Sequence, residues 1–216
     1  MSGCPVCTIS RWERAPRVDG NVFKSAWEAI EPCEFLSNQD GAPGAFGWAK
    51  AAWHAKGLCF AFWAPDEDPW ATLTEFNAPL YEEEVFECFL QPDQSKSEYF
   101  ELEWNPAGAA FAGRLEGIGE ARELDLDWGP RGFKWRAKVL LDKQGRPTGW
   151  ACEAALPFAA IPGLEQAPRG GDRWRGNFYR IDRPGRAQRR DLFAWSPTLA
   201  GTFHAPERFG ILEFGR

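Results

Sequence analysis

Residues 81–105 contain the clearest alternation of hydrophobic and polar positions in the chain. Phe100, Leu102 and Trp104 stand at every second position, with polar residues between them. Because successive side chains of a β-strand point to opposite faces, this segment is predicted to be a strand with one apolar face and one solvated polar face. The apolar run at 85–90 predicts the preceding strand, and a Pro-Asp pair ends it. The two strands are predicted to form a hairpin.

The same criteria predict further strands along the chain. They lie at 48–53 and 58–63, 111–115, 133–141 and 148–156, 173–182 and 209–214. Gly, Pro, Asn and Asp predict loops at 38–47 and 64–80 and over most of 107–130. A short helical turn within 22–30 is expected to place Trp27 in the core.

This arrangement of strands without long helices predicts an all-β fold. We expect a single domain, an antiparallel β-sandwich of two sheets with a jelly-roll or immunoglobulin-like arrangement. The domain is predicted to span residues 18–216, and residues 1–17 are predicted to be an irregular lead-in.

Composition narrows the possible partners. Trp occurs 12 times and aromatic residues make up 15% of the chain, which is enough for a core and for a binding surface. A net charge of −6 argues against nucleic acid, whose phosphates attract basic surfaces. No apolar run has the ~20 residues of a membrane-spanning helix. The first 20 residues lack a signal peptide's apolar region, so we expect a cytoplasmic protein, or a secreted one if a leader is missing.

The six cysteines fall into two groups. Four lie in apolar runs, where we expect buried, reduced and inert thiols: Cys33, Cys59, Cys88 and Cys152. Cys4 and Cys7 form a C-x-x-C pair in the predicted lead-in. No second pair completes a zinc site, so a loosely held tail, metal capture and redox use all stay open for this pair.

Several segments resemble family 9 carbohydrate-binding modules. The resemblance is carried by Glu84–Pro92 (EVFECFLQP) and Tyr99–Pro106 (YFELEWNP). Other segments follow the family's order: Val18-Asp19-Gly20, Trp150–Phe158, Trp174–Arg180, Trp195-Ser196-Pro197 and Phe203–Phe214. The resemblance spans nearly the whole chain and implies two antiparallel sheets with a ligand groove on one side.

The resemblance also implies a binding site. In the family, two tryptophans sandwich a terminal sugar, while Glu, Arg and Asn side chains hold its hydroxyls. Glu87, Asn105 and Trp195 match the family's glutamate, asparagine and C-terminal tryptophan. Trp70 is assigned as the second tryptophan by its position in a loop. For Trp195, burial in the core is the alternative role.

One position departs from the family pattern. Glu103 stands where the family's sugar binders carry arginine, so the arginine's role passes to Arg180, or the usual ligand is not bound. A structural ion pair is the alternative role of Arg180. The family also carries structural calcium, and clustered loop carboxylates suit that ion, so Asp66 and Asp68 are candidate ligands. No cofactor is required.

We therefore predict non-catalytic binding of a terminal mono- or disaccharide unit, in support of carbohydrate catabolism. The sequence contains no nucleophile, phosphate-binding or metalloprotease motif. One alternative is a glycoside hydrolase or lyase that uses Glu87 with Glu153 or Glu103. The other is a protein-interaction or haem-binding sandwich, with His54 or His204 as the axial ligand. The oligomeric state stays open.

Overall fold

The computed structural model describes residues 4–117, 121–186 and 189–216. Within these ranges the chain forms thirteen strands and one short helix, α1 (Ser25–Glu28). The strands are β1 (Val6–Arg11), β2 (Cys33–Ser37), β3 (Pro43–His54), β4 (Gly57–Pro65), β5 (Val85–Gln91), β6 (Tyr99–Trp104), β7 (Ala110–Glu116), β8 (Glu123–Asp125), β9 (Lys134–Leu141), β10 (Pro147–Pro157), β11 (Arg173–Asp182), β12 (Asp191–Ala194) and β13 (Gly210–Phe214). No helix in the described ranges is long and apolar enough to cross a membrane.

The strands form two layers that pack face to face. Hydrogen bonding gives the order β8-β7-β6-β5-β11-β12 in one layer and β2-β3-β4-β10-β9 in the other. Phe62 of β4 packs on Phe86 of β5 and on Trp104 of β6, with ring centroids 5.3 Å apart in each case. Because these strands are not hydrogen-bonded neighbours, the contacts join the inner faces of the two layers. The large apolar core lies between them.

The two layers are joined at two places. β12 pairs with β2 through Phe193–Ser37 and Ala194–Leu36. β1 runs parallel to β13, which belongs to the first layer through β11, and parallel to β3 in the second. The predicted single all-β domain is confirmed, with β1 as a parallel exception to the antiparallel pairing. The jelly-roll or immunoglobulin-like detail stays a prediction.

Two segments predicted to be irregular contain strand residues. The lead-in at 1–17 contains β1, whose side chains at Cys7 and Ile9 are buried. The predicted loop at 38–47 ends in the first residues of β3. A glycine allows this: Gly47 has a φ of +106°, and a Cβ there would lie 2.3 Å from the Trp63 carbonyl oxygen. Glycine content alone indicated a loop, but here it permits an irregular strand to approach its neighbour closely.

The central hairpin is confirmed as β5 and β6, and its apolar positions at 100, 102 and 104 face the shared core. The predicted solvated face of β6 is wrong. Glu101 is 5% exposed and Glu103 0% exposed, because further chain segments cover that side of the layer. A second apolar cluster that includes Phe89, Tyr179 and Phe209 lies on this outer side. The glutamates therefore lie beneath a second packed layer of side chains.

Candidate functional site

A pocket of about 560 Å³ opens on the outer face of the β5-β6-β7 layer. Glu87 and Glu101 line it, together with Tyr81 from the 3₁₀ turn at Leu80–Glu82. Thr202 and His204, from the segment before β13, line it as well. The site thus combines strand carboxylates with side chains supplied by two connecting segments.

Three carboxylates come together at this pocket. Glu87 of β5 lies directly opposite Glu103 of β6 in the strand register. Glu101 lies two residues before Glu103, on the same face of β6. One carboxylate oxygen from each of the three lies within 4.8 Å of the others. Glu103 lies within interaction distance of the Glu101 carboxyl group and of the Tyr81 backbone. The strand alternation predicted this shared face, but not its burial.

Burial governs the electrostatics of the cluster. It raises the pKa of Glu87 and of Glu103 well above the usual carboxyl range, and the charge of Glu101 raises both further. It raises the pKa of Glu101 to about 7, while Arg122 works in the opposite direction. Arg190 likewise lowers the pKa of Glu87. Three close carboxylates cannot all ionise without a compensating cation, so the cluster favours protons or a positive charge.

The pocket includes residues that the sequence analysis did not assign to a site. Tyr81 is 42% exposed and is the aromatic side chain that lies free enough to stack on a ligand. His204 accepts or donates a hydrogen bond with the Tyr99 hydroxyl at 2.8 Å, and burial, followed by the charge of Arg122, lowers its pKa to about 4. Tyr81 lies just before the strand that carries Glu87, and this position in the sequence could have identified it as a candidate pocket residue.

Asn105 and Trp195 lie away from the pocket. Asn105 is fully buried, where its Nδ2 donates to the Leu73 carbonyl oxygen at 2.7 Å and its Oδ1 accepts the Ala109 N–H at 2.9 Å. It therefore closes the turn between β6 and β7. Trp195 is 9% exposed, belongs to the shared core and packs on Phe178 with ring centroids 5.9 Å apart. The structure places both residues in structural positions.

Arg180 lies on the other face of its strand. Tyr179 pairs with Glu87 and Arg180 with Phe86, so Arg180 shares the face of Phe86, opposite to that of Glu87. It is 3% exposed and its Nη2 contacts Asp66 at 3.0 Å and Asp182 at 3.2 Å. The structure therefore gives Arg180 the structural ion pairs that were its alternative role.

Trp70 lies near this ion-pair group and not at the pocket. Its indole Nε1 donates to the Arg183 carbonyl oxygen at 3.2 Å, and its backbone N–H donates to Glu84 at 3.2 Å. Its ring is half-buried, with the Arg186 guanidinium 6.0 Å from the ring centroid. Of the six predicted binding residues, only Glu87 and Glu103 meet at the carboxylate cluster, while Trp70 and Arg180 both lie beside the separate group of Asp66, Glu84 and Asp182.

The predicted calcium ligands do not fit that ion. Asp66 lies close to Glu84 and Asp182, but Arg180 forms ion pairs with both aspartates. The guanidinium already supplies the positive charge that an ion would bring. Asp68 does not belong to this group and pairs with Arg186 at 3.2 Å on the surface.

Comparisons with solved structures agree with this fold. A protein from Bacteroides uniformis, proposed to bind carbohydrate, aligns with a TM-score of 0.76 at 19% identity, covering 98% of this chain and 100% of that one. A family 9 carbohydrate-binding module from Caldicellulosiruptor kristjanssonii, solved with cellotriose, aligns with a TM-score of 0.69 at 16% identity, covering 98% of this chain and 94% of that one. The same module solved with glucose gives the same TM-score and identity, with 98% and 96% covered.

These structural similarities concern the fold, and the family rests on the sequence. No protein with a curated description matches the chain. The sequence model described as carbohydrate-binding family 9 matches residues 49–214, which is more than half of the chain and includes the pocket's strand residues. The chain therefore belongs to carbohydrate-binding family 9.

Proposed function

We propose that the chain binds a terminal mono- or disaccharide unit of a glycan in the pocket beside Glu87, without catalysis. The observation that carries this proposal is an exposed aromatic ring, Tyr81, at a cavity whose floor holds Glu87 and Glu101. An aromatic face stacks on the apolar C–H face of a pyranose, and carboxylate oxygens accept hydrogen bonds from its hydroxyls. The cavity of about 560 Å³ suits a small ligand.

Family membership supports a binding role. Family 9 modules are non-catalytic, and a related module has been solved with cellotriose and with glucose. By analogy, β-linked glucose oligosaccharides are the first ligands to test. A module that holds the end of such a chain would serve carbohydrate breakdown by keeping an enzyme near its substrate, with no cofactor of its own.

Calorimetric titration of the full chain with glucose, galactose and cellotriose tests the proposal. Tyr81→Ala is expected to weaken binding roughly tenfold or more, since a stacking contact contributes about 1–3 kcal/mol. Glu87→Gln is expected to weaken it by about 1 kcal/mol, because the amide turns one of the two hydrogen-bonding oxygens of the side chain into a donor. Phe76→Ala is the matched control, because Phe76 is a 45% exposed aromatic side chain that packs on Trp135 and does not line the pocket.

Two results would contradict the proposal. One is the absence of binding by any of these sugars at millimolar concentration. The other is equal affinity of the wild type and the folded Tyr81→Ala variant. Recognition of a terminal unit is tested by chain length, because affinity per ligand molecule should stay constant from cellotriose to longer soluble chains. An affinity that rises steadily with length would indicate binding along the interior of the glycan.

A further inference from the structure

We infer that a groove beside β9 binds an acidic glycan, a chain whose sugar units carry carboxylate groups. The groove lies between residues 15–19 and the strands β9 and β10, and its volume is about 1240 Å³. The pocket beside Glu87 belongs to the other layer and shares no lining residue with this groove. The inference therefore concerns a second binding site and does not depend on the proposed sugar pocket.

Positive side chains dominate the groove. The cations that line it are Arg17, Lys56, Lys134, Arg136 and Lys138. All five are exposed, and none of them forms an ion pair with a described residue. In a chain with a net charge of −6, such a local excess of positive charge attracts an anionic ligand to this part of the surface.

Two carboxylates beside the groove are already paired elsewhere. Asp19 lines the groove, but its carboxylate contacts Lys24 Nζ at 3.2 Å. Glu153 lies directly opposite Arg136 in the strand register. Its carboxylate contacts Lys24 Nζ at 2.7 Å and accepts a hydrogen bond from Trp27 Nε1 at 2.7 Å. Neither carboxylate therefore neutralises the cations of the groove.

Three of the cations form a row along β9. Lys134, Arg136 and Lys138 alternate with half-buried residues, so their side chains share one face. Strand residues two apart are separated by about 6.4–6.8 Å, and the row thus spans about 13 Å. Charges on an edge strand often serve only to prevent pairing with another sheet. Arg17 and Lys56 come from other segments, however, so the positive charge belongs to the whole groove.

The spacing and the lining favour a glycan over other anions. Duplex DNA carries one charge per ~1.7 Å of its axis, which is much denser than this row, whereas an acidic glycan carries its carboxylates on separate sugar units. A guanidinium group binds a carboxylate through two parallel hydrogen bonds. Phe133 and Trp135 also line the groove, and such rings offer apolar surface to the C–H faces of sugars. Membership of carbohydrate-binding family 9 favours a glycan over an acidic peptide.

Calorimetric titration of the full chain with hexagalacturonate tests the inference. Its methyl ester is the matched ligand control, because it keeps the sugar chain and removes the charge. We expect saturable binding of the acid form and at least tenfold weaker binding of the ester. The affinity for the acid form should fall as salt rises from about 0.01 M to about 0.15 M, since the Debye length shrinks from about 30 Å to about 8 Å.

Charge-matched variants locate the site. Arg136→Gln together with Lys138→Gln should weaken binding of hexagalacturonate about tenfold or more, because two cations of the row are lost. Lys143→Gln together with Arg169→Gln is the control, since it removes the same charge at exposed positions outside the groove and should bind like the wild type. Melting curves show whether each variant is folded.

The inference is overturned if hexagalacturonate does not bind at millimolar concentration in low salt, or if its ester binds equally well. It is also overturned if the groove variant and the control variant bind alike. A polyglutamate of equal charge that binds as tightly would indicate an acidic peptide instead. Tyr81→Ala, at the other pocket, should bind hexagalacturonate like the wild type, and a loss there would place the acidic glycan in that pocket and not in the groove.

Discussion

Glu87 and Glu153 lie on opposite outer faces of the two-layer fold. Phe86 and Cys88, the neighbours of Glu87 in β5, point into the shared core, so Glu87 points away from it. Both sequence neighbours of Glu153 in β10 also belong to that core, so Glu153 points outward from the other layer. A glycosidase needs two carboxylates about 5–10 Å apart on either side of one bond. The predicted alternative that pairs these two residues is therefore wrong.

The wild-type chain is expected to release no reducing sugar from cellooligosaccharides. Glu153 is on the wrong face, and the other alternative partner, Glu103, is fully buried and cannot contact a substrate. A sensitive reducing-end assay checks this, with a known cellulase as the positive control. Turnover that disappears in Glu87→Gln would contradict the prediction and support the alternative hypothesis of a glycoside hydrolase.

Glu153→Gln is expected to destabilise the fold without affecting the pocket. The Glu153 carboxylate accepts hydrogen bonds from the backbone N–H groups of 19–20, at 2.9 Å each, and from Trp27 Nε1 at 2.7 Å. It also pairs with Lys24 at 2.7 Å. An amide cannot accept all of these bonds, so we expect a loss of about 2–4 kcal/mol in the free energy of unfolding. Chemical denaturation measures it, with the exposed Glu116→Gln as the control.

Trp195→Ala should reduce stability and not sugar affinity. Trp195 fills space in the shared core, and a Cβ at Gly210 would lie 2.4 Å from its ring, so that contact is close. Removal of a buried Trp side chain is expected to lower the free energy of unfolding by about 3–5 kcal/mol. Trp70→Ala, at a half-buried loop position, should lower the free energy of unfolding by less than Trp195→Ala does. A folded Trp195→Ala that loses sugar binding would show that this tryptophan contacts the ligand after all.

Arg180→Met is expected to lower the free energy of unfolding by about 3–5 kcal/mol, because it leaves Asp66 and Asp182 without their buried counter-charge. Replacing Asp66 by Asn in the same chain should recover part of that loss, since one of the unpaired charges is then removed. A double-mutant cycle by denaturation measures the coupling. If Arg180→Met keeps full stability but no longer binds sugar, the family's arginine role belongs to this residue.

Stability is expected to fall as pH rises toward 8 through the titration of Glu84. Burial, followed by the charge of Asp66, raises the pKa of Glu84 from 4.5 to about 8. Between these values the folded chain keeps a proton that the unfolded chain has released. The stabilisation is therefore complete below the unfolded pKa and is lost as pH rises through the folded one, by at most about 1.4 kcal/mol per pH unit.

Comparison of wild type with Glu84→Gln isolates this effect. The amide does not titrate, so the stability of the variant should depend less on pH between about 5 and 8. Denaturation series at several pH values measure the difference. Parallel pH profiles of the two proteins would contradict the assignment of the slope to Glu84.

The sequence by itself determined which face of the central strands joins the shared core. Alternation in β6 placed Phe100, Leu102 and Trp104 on one face and Glu101 and Glu103 on the other, because the two faces of a strand follow from its period of two residues. The hairpins and the short helical turn that buries Trp27 followed from equally local patterns. The family followed from short motifs of neighbouring residues. These features depend on residues that are close in sequence.

Only the tertiary structure decided which residues meet. Glu87 and Arg180 lie on opposite faces of neighbouring strands because β11 pairs with β5 in a register that no local pattern specifies. The polar face of β6 is buried because segments distant in sequence cover it, and Tyr81 reaches the pocket from a turn. Trp195 and Asn105 matched the family's motif, yet core packing and turn closure hold their side chains. Motif position fixes where a residue stands in the chain, whereas strand register and long-range packing fix what its side chain contacts.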